Sequence, residues 1–198
     1  MLRTCLLFLP LVLLLASTGV RAQTAELPAA LVALGAKAEV DRDGKLRKLD
    51  LSRSRVSDSD MAQLARLTQL EQLDLRLTAV SDAGIQQLRP LVNLRTLNLF
   101  RTGLSDNGLA VVAGLPKLET LLIGGTKVTD AGMKLLAPLT QLRKLSLFDT
   151  AVGDAAVADL AALPRLEVLL LDKSAVTAAG RQALVARNPR LSFAESQL

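Results

Sequence analysis

The 198-residue chain contains no histidine, tryptophan or tyrosine, and its single cysteine is Cys5. Without histidine or further cysteine, the usual nucleophile–base pairs and most transition-metal sites cannot be assembled. A single cysteine also excludes an internal disulfide, so stability must come from packing. The 24 basic and 19 acidic residues are interspersed, and no basic run or group of aromatic residues accompanies them, which argues against nucleic-acid binding. We therefore expect no enzyme, no cofactor and no metal site.

Residues 1–22 have the pattern of a secretory signal peptide. Arg3 supplies a positive start, an apolar stretch follows from about Cys5 to Ala16, and Val20 and Ala22 occupy the small-residue cleavage positions. The stretch is shorter than the roughly 18 residues that span a bilayer. We expect cleavage after Ala22, no membrane span afterwards, and a monomer that is secreted or periplasmic. The alternative is an uncleaved anchor.

A nine-residue pattern recurs along the rest of the chain. "VSDAGIQQL" at 80–88 has a near twin in "VTDAGMKLL" at 128–136, and looser copies begin at 104 and 152. Self-similarity at a fixed interval indicates a stacked-repeat architecture. We therefore expect one domain of six 24-residue units over residues 46–190. The leucines that open the units are Leu46, Leu70, Leu94, Leu118, Leu142 and Leu166.

Each unit predicts a strand followed by a helix. In residues 70–93, Leu73 and Leu75 alternate as in a half-buried strand, and Ile85, Leu88 and Leu91 form a helical face. The pattern L-x-x-L-x-L resembles the leucine-rich repeat, of the ribonuclease-inhibitor-like type in secreted bacterial proteins. The resemblance implies an α/β solenoid, a right-handed arc with parallel strands on the concave side and helices on the convex side.

Three polar columns accompany the leucines. Hydroxyl residues stand where that family has Asn or Cys, and we expect them to hydrogen bond to the neighbouring unit's loop. Pairs such as Ser81-Asp82 predict helix N-caps and first turns. Glycines predict close approach of the next unit, although Asp60 and Ala156 hold that position in two units. The hydroxyl residues are Ser54, Thr78, Thr102, Thr126, Thr150 and Ser174, and the glycines are Gly84, Gly108 and Gly132.

The first part of the exported chain departs from the repeat and predicts an N-terminal cap, because a solenoid end must be covered. Residues 23–45 predict a short helix and a hairpin with Asp43-Gly44 at its turn. A calcium loop on Asp41 and Asp43 is the alternative, although the remaining ligands of that pattern are missing.

The last unit predicts the other end of the solenoid. Arg181 and Arg187 stand in columns that are apolar in the earlier units, so the outer face of the last unit is expected to meet water. Residues 191–198 predict a short strand or tail in which Phe193 covers the remaining core.

Paired carboxylates are the one remaining option for catalysis or cation binding. Asp50 and Asp74 take the same position on neighbouring strands, about 5 Å apart, and Asn98 is next in the column. Such a pair can hold a cation or share a proton, but Lys48 and Arg76 are close enough to neutralise it.

Phe100 and Phe148 are the candidate anchors of a binding site. They stand in the concave column Ser52, Arg76, Phe100, Gly124, Phe148 and Asp172, outside the expected core. Two strands apart, they are expected to lie about 9–10 Å from each other. Gly124 and Gly125 would form an open floor beside Leu122, with Arg76, Arg101 and Asp149 at the edges. An apolar centre with a charged rim is the usual anatomy of a binding hot spot. The alternative is that the rings merely cover each other.

These features predict a secreted module that binds another protein through its concave face. Two alternatives stay open, namely a cell-envelope polysaccharide as ligand and a structural spacer with no specific ligand. The fold alone does not decide among them.

Overall fold

The structure, a computed structural model, describes residues 27–194, in which eight strands form one open sheet in sequence order. The first two strands pair antiparallel, and every later pair is parallel. Leu49, Leu73 and Leu97 are aligned across neighbouring strands, so the register follows the 24-residue spacing of the sequence. The strands are β1 (Lys37–Val40), β2 (Leu46–Asp50), β3 (Gln72–Asp74), β4 (Thr96–Asn98), β5 (Thr120–Leu122), β6 (Lys144–Ser146), β7 (Val168–Leu170) and β8 (Ser192–Phe193).

Short helical segments cover the convex side. They are shorter than the strand-plus-helix prediction suggests, and several are 3-10 and not α-helical. Neighbouring strands lie about 4.8 Å apart whereas packed α-helices need about 8–10 Å, so short and 3-10 segments limit the mismatch. The α-helices are α1 (Ala29–Ala33), α2 (Asp82–Ile85), α3 (Asp106–Val112), α4 (Asp130–Met133), α5 (Val157–Ala161) and α6 (Ala178–Arg187). The 3-10 segments are Asp58–Arg66, Gln86–Leu88, Lys134–Leu136 and Asp154–Ala156.

The core is a continuous stack of leucine columns between the sheet and the convex segments. The predicted apolar positions of the second unit, such as Leu73, Ile85 and Leu91, are fully buried, and their counterparts in the other repeats join the same cluster. Because a single unit buries these side chains only against its neighbours, the stack must fold as a whole. The α/β repeat solenoid predicted from the sequence is confirmed.

The hydroxyl column bonds within its own unit, so the predicted bonds to the neighbouring unit's loop are wrong. The Thr78 hydroxyl donates to the Leu75 carbonyl at 2.6 Å, and Thr102, Thr126, Thr150 and Ser174 repeat this bond. The chain bends sharply after each strand and brings the carbonyl three residues back over the hydroxyl. A buried acceptor is thereby satisfied locally.

That bend uses a left-handed residue in each of the six units. The column is Arg53, Leu77, Arg101, Gly125, Asp149 and Lys173, with φ between 52° and 65°. Five of these residues carry side chains, and the left-handed region costs an ordinary residue about 1–2 kcal/mol. Ordered backbone bonds between units offset the strain, since Leu77 N donates to Phe100 O and Asp149 N to Asp172 O, both at 2.9 Å. The side chains of this column project along one edge of the sheet.

The aspartates of the Ser/Thr-Asp pairs reach into the next unit. Ser81 and its counterparts cap their helices as predicted. Asp58, however, accepts the Ser81 N–H at 2.7 Å and the Gly84 N–H at 3.0 Å, together with the Ser81 hydroxyl. A side chain on Gly84 would collide with that carboxylate, so the glycine makes room for an aspartate of the preceding unit.

The two units without this glycine support the same explanation. Asp60 lies in the first unit, where no preceding aspartate arrives. At Ala156, the incoming Asp130 accepts only the Gly153 N–H, because Gly153 has no hydroxyl to hold it. The glycine is therefore needed only where the carboxylate is fully engaged.

At the N-terminal end, β1 and β2 form an antiparallel hairpin. The Asp41 carboxylate accepts the backbone N–H groups of Asp43 and Lys45 at 2.9 Å each, and Arg47 donates to it at 2.7 Å. Gly44 takes the left-handed turn conformation with φ 75°. These bonds engage the Asp41 carboxylate in the turn that was predicted for this position.

At the C-terminal end, β8 pairs with β7 and Phe193 packs against the core. No helix within residues 27–194 is long and apolar enough to cross a membrane. The predicted signal peptide at 1–22 and the last part of the predicted tail, 195–198, lie outside the described residues.

Candidate functional site

A cleft of about 320 Å³ opens at the edge where the strands end. Two columns of the predicted site contribute to it, the phenylalanine column and the left-handed column that follows it by one residue. Its apolar part consists of Leu77 and the two phenylalanines, and four basic side chains surround them. The lining residues are Arg53, Arg76, Leu77, Phe100, Arg101, Phe148 and Lys173.

The two phenylalanines contact each other, which corrects their predicted separation of 9–10 Å. The ring centroids of Phe100 and Phe148 are 6.1 Å apart and the ring planes are inclined by 46°. Phe148 is only 8% exposed, so it is largely a packing residue, while Phe100 is half-buried. The lack of a side chain at Gly124 allows the rings to lean together.

The glycine floor is covered, so the predicted open floor at Gly124 and Gly125 is wrong. A Cβ on Gly124 would lie 2.8 Å from the Phe148 carbonyl oxygen and 3.1 Å from Phe100 Cδ2. A Cβ on Gly125 would lie 2.6 Å from Arg101 Cγ. The glycines therefore create space that the two rings and the Arg101 stem fill.

Cations flank both rings. The Arg101 guanidinium carbon lies 5.3 Å from the Phe100 centroid, and Lys173 Nζ lies 5.3 Å from the Phe148 centroid. Arg101 also reaches across Gly125 to the Asp149 carboxylate at 4.0 Å. Cations this close to an aromatic face are weakly attracted to it and are held beside the apolar surface.

Leu122 lies apart from this cleft, which corrects its predicted place beside the phenylalanine pair. It lines a separate, smaller hollow of about 190 Å³, together with Gln72, Asp74, Thr96 and Asn98. Arg76, Arg101 and the two phenylalanines are thus brought together, and Leu122 is not.

The Asp50, Asp74 and Asn98 column is used for backbone bonding. The three side chains accept the N–H groups of Ser52, Arg76 and Phe100, two residues further on in each case. Burial raises the pKa of Asp50, but the bonds from Ser52 and the charge of Arg76 outweigh it, so this pKa lies below its ordinary value. Within residues 27–194, no group of three or more His, Cys, Asp or Glu is placed to hold a metal.

The two edges of the sheet carry very different charge patterns. At the start of the strands, one column alternates strictly as Arg47, Glu71, Arg95, Glu119, Arg143 and Glu167. Each arginine in it pairs with the next glutamate, as Arg143 does with Glu167 at 2.9 Å. This column neutralises itself.

The opposite edge, which we call the exit edge, carries a surplus of positive charge. It consists of the four residues that start at the phenylalanine column in each unit, namely 52–55, 76–79, 100–103, 124–127, 148–151 and 172–175. These segments hold six exposed basic side chains against two acidic ones, Asp149 and Asp172. The basic residues are Arg53, Arg55, Arg76, Arg101, Lys127 and Lys173.

Comparison with known proteins finds the same type of repeat. Residues 91–113 match a family model described as Leucine Rich repeat. The strand order, the 24-residue register and the leucine stack extend that pattern over the other units. The chain is a leucine-rich-repeat protein. No curated protein matches it in sequence.

Two solved structures of this type come from Listeria monocytogenes. An internalin C2 has 26% sequence identity and a TM-score of 0.53, over 68% of this chain and 55% of that one. A second internalin, inlF, has 19% identity and a TM-score of 0.56, over 87% of this chain and 54% of that one, and shows the fold alone. The leucine-rich-repeat protein thus spans about half the length of each. The repeat match and the internalin C2 structure support a leucine-rich-repeat fold for this chain.

Three residues of the cleft were not predicted from the sequence of this leucine-rich-repeat protein. Arg53, Leu77 and Lys173 belong to the left-handed column, of which only Arg101, Gly125 and Asp149 were included in the predicted site. Reading that column at its 24-residue spacing would have found them. Their side chains line one cleft because the column runs along the edge where the strands end.

Proposed function

We propose that this leucine-rich-repeat protein is an exported module that binds another protein through its concave face, at the exit edge. The observation that carries the proposal is the cleft that joins Phe100 and Leu77 to four exposed cations. An apolar centre surrounded by charged side chains fits protein recognition. The fold places these side chains just after parallel strands that are aligned at a fixed 24-residue spacing.

The apolar surface available to a partner is smaller than the sequence predicted, because only one of the two phenylalanines is substantially exposed. Because Phe148 is packed against Phe100 and the Gly124 backbone, it mainly supports the surface from below. Phe100 and Leu77, which is 37% exposed, present the apolar area that a partner can cover. The predicted contact residues Arg76, Arg101 and Asp149 surround this area, and Leu122 forms a separate outlying contact.

A pull-down tests the proposal. The exported protein serves as bait for the cell-envelope and medium fractions of its own organism, with chemical crosslinking to retain weak partners. We expect a protein to be captured by the wild type and lost from a variant with Arg53→Glu, Arg101→Glu and Lys173→Glu. A control with Arg66→Glu and Lys134→Glu, on exposed convex positions, is expected to keep it. Capture of envelope polysaccharide instead of protein would favour the alternative ligand.

A further inference from the structure

The two edges of the sheet differ in how many of their basic side chains have an acidic partner. At the start of the strands, each arginine of the alternating column has a glutamate partner one unit away. At the exit edge, Arg76 and Arg101 approach carboxylates at 3.5 and 4.0 Å, whereas Arg53, Arg55 and Lys127 form no salt bridge within residues 27–194. The surplus is therefore specific to one edge of the same repeat.

Two cations of the exit edge, Arg53 and Lys173, stand on backbone positions that the repeat fixes. Arg53 and Lys173 come from the first and the sixth unit, yet both line the same cleft. Each residue itself has a left-handed backbone conformation, with φ of 57° for Arg53 and 59° for Lys173. The neighbouring unit fixes that position by a hydrogen bond, because Arg53 N donates to Arg76 O at 2.9 Å. Side chains on a fixed backbone lose less freedom when they bind.

The cleft combines these cations with an apolar floor. Phe100 and Leu77 provide that floor, and the Arg101 guanidinium lies beside the ring. A guanidinium matches a carboxylate in shape and charge, and can bind it through two parallel hydrogen bonds. The space of about 320 Å³ fits one or two side chains more readily than a large folded surface.

From these observations we infer that the cleft receives an acidic segment of the partner protein, with carboxylates bound by Arg53, Arg101 and Lys173 and an apolar side chain seated on Phe100 and Leu77. The inference rests on the proposed protein-binding function and names the chemistry of what is bound. A surplus of one charge also raises the association rate of an oppositely charged partner, and does so less at high salt.

Titration of the ¹⁵N-labelled protein with short peptides tests this by NMR. The probe is an end-blocked Gly-Glu-Asp-Leu-Glu-Asp-Gly peptide. One control peptide has Gln and Asn in place of Glu and Asp, and a second has Ala in place of Leu. We expect the acidic Leu peptide to shift the backbone signals of Phe100, Arg101, Gly124 and Gly125. Its affinity should be at least about tenfold higher than that of the neutral peptide, and should fall in 0.5 M NaCl.

Matched charge reversals locate the site. Arg53→Glu with Lys173→Glu is expected to weaken binding of the acidic peptide about tenfold or more, because two attractive contacts become repulsive. Arg66→Glu with Lys134→Glu makes the same change in net charge on the convex side and is expected to leave binding within about twofold of the wild type, since it acts only through long-range, salt-screened charge.

Several outcomes would overturn the inference. Among them are no shifts at millimolar peptide, equal shifts from the neutral peptide, and shifts that map away from the cleft. Binding of polygalacturonate without binding of any peptide would point to an acidic polysaccharide and equally overturn it. If the pull-down partner is retained by the Arg53→Glu and Lys173→Glu variant, the proposed function stands and the acidic-segment inference fails.

Discussion

The carboxylate of Asp106 occupies the space that a side chain on Gly132 would need. It accepts the Thr129 N–H at 2.9 Å and the Thr129 hydroxyl at 2.6 Å, and a Cβ on Gly132 would collide with it. The same relationship joins Asp58 to Gly84, Asp82 to Gly108 and Asp154 to Gly180. One aspartate thus connects each of these units to the helix start of the next.

We expect Gly132→Ala to destabilise the protein by about 1–3 kcal/mol, the usual range for overpacking a filled site. In an Asp106→Ala background the same substitution is expected to cost less, because the colliding carboxylate is gone. Urea unfolding of the four proteins in this double-mutant cycle measures the coupling. Strict additivity of the two changes would contradict the assigned contact.

These aspartates also predict an acid limit to stability. Burial raises the pKa of Asp58, but the bonds from the Ser81 hydroxyl and from the Ser81 and Gly84 N–H groups outweigh it and leave this pKa below its ordinary value. A lowered folded-state pKa contributes stability above the unfolded value of about 3.9, and that contribution is lost as the pH falls through the folded value.

The matching variant is Asp58→Asn. At neutral pH it is expected to cost about 1 kcal/mol, since a charge-assisted acceptor becomes neutral. Its stability should also decline less than that of the wild type between pH 5 and pH 3. Asp159→Asn, at an exposed position on α5, is the control and should retain the wild-type decline. Urea midpoints across this pH range decide the matter, and parallel curves for Asp58→Asn and wild type would refute the assignment.

The sequence predicts those features that follow from the repeat spacing. It does not predict those that depend on how side chains fill the space between units. The register was predictable because Leu49, Leu73 and their counterparts must all be buried, and a fixed spacing permits only one alignment. Contact between Phe148 and Phe100 was one of two alternatives. The sequence could not decide between them, because the outcome depends on the space above Gly124. The reach of Asp58 into the next unit was hidden for a similar reason, since an aspartate beside a serine also fits a simple helix cap.

The packing of Phe148 predicts that it matters for stability. We expect Phe148→Ala to cost about 2–3 kcal/mol, somewhat below the 3–5 kcal/mol typical of a deep core phenylalanine, because one side of the ring borders the cleft. Leu121→Ala, at a fully buried position, should cost about 2–5 kcal/mol. Phe100→Ala should cost less than Phe148→Ala. Urea unfolding compares the three, and wild-type stability in Phe148→Ala would show that the ring is not a packing residue.

The proposed export makes a separate prediction about the N-terminus. Because Val20 and Ala22 occupy the recognised cleavage positions, protein recovered from outside the cytoplasm should begin at Gln23. N-terminal sequencing of that fraction measures this directly. A start at Met1 in membrane-bound material would instead support the uncleaved anchor.

The C-terminal end of the solenoid predicts a change of association state. Arg181 lies over Phe193, with 5.6 Å from its guanidinium carbon to the ring centroid, and donates to the Leu171 carbonyl at 3.2 Å. It borders a groove of about 420 Å³ on the outer side of α6, next to Val185, which is 40% exposed. The arginine therefore places charge across an apolar end that would otherwise resemble the faces between units.

Replacing Arg181 and Arg187 by leucine extends that apolar end, so we expect concentration-dependent end-to-end association. Light scattering coupled to size-exclusion chromatography measures the mass. Arg66→Leu with Lys134→Leu adds the same apolar groups on the convex side. This control is expected to remain a monomer at equal concentration, because neither position lies on the last unit. If the Arg181→Leu and Arg187→Leu variant stays monomeric up to its solubility limit, the two arginines do not prevent end-to-end association.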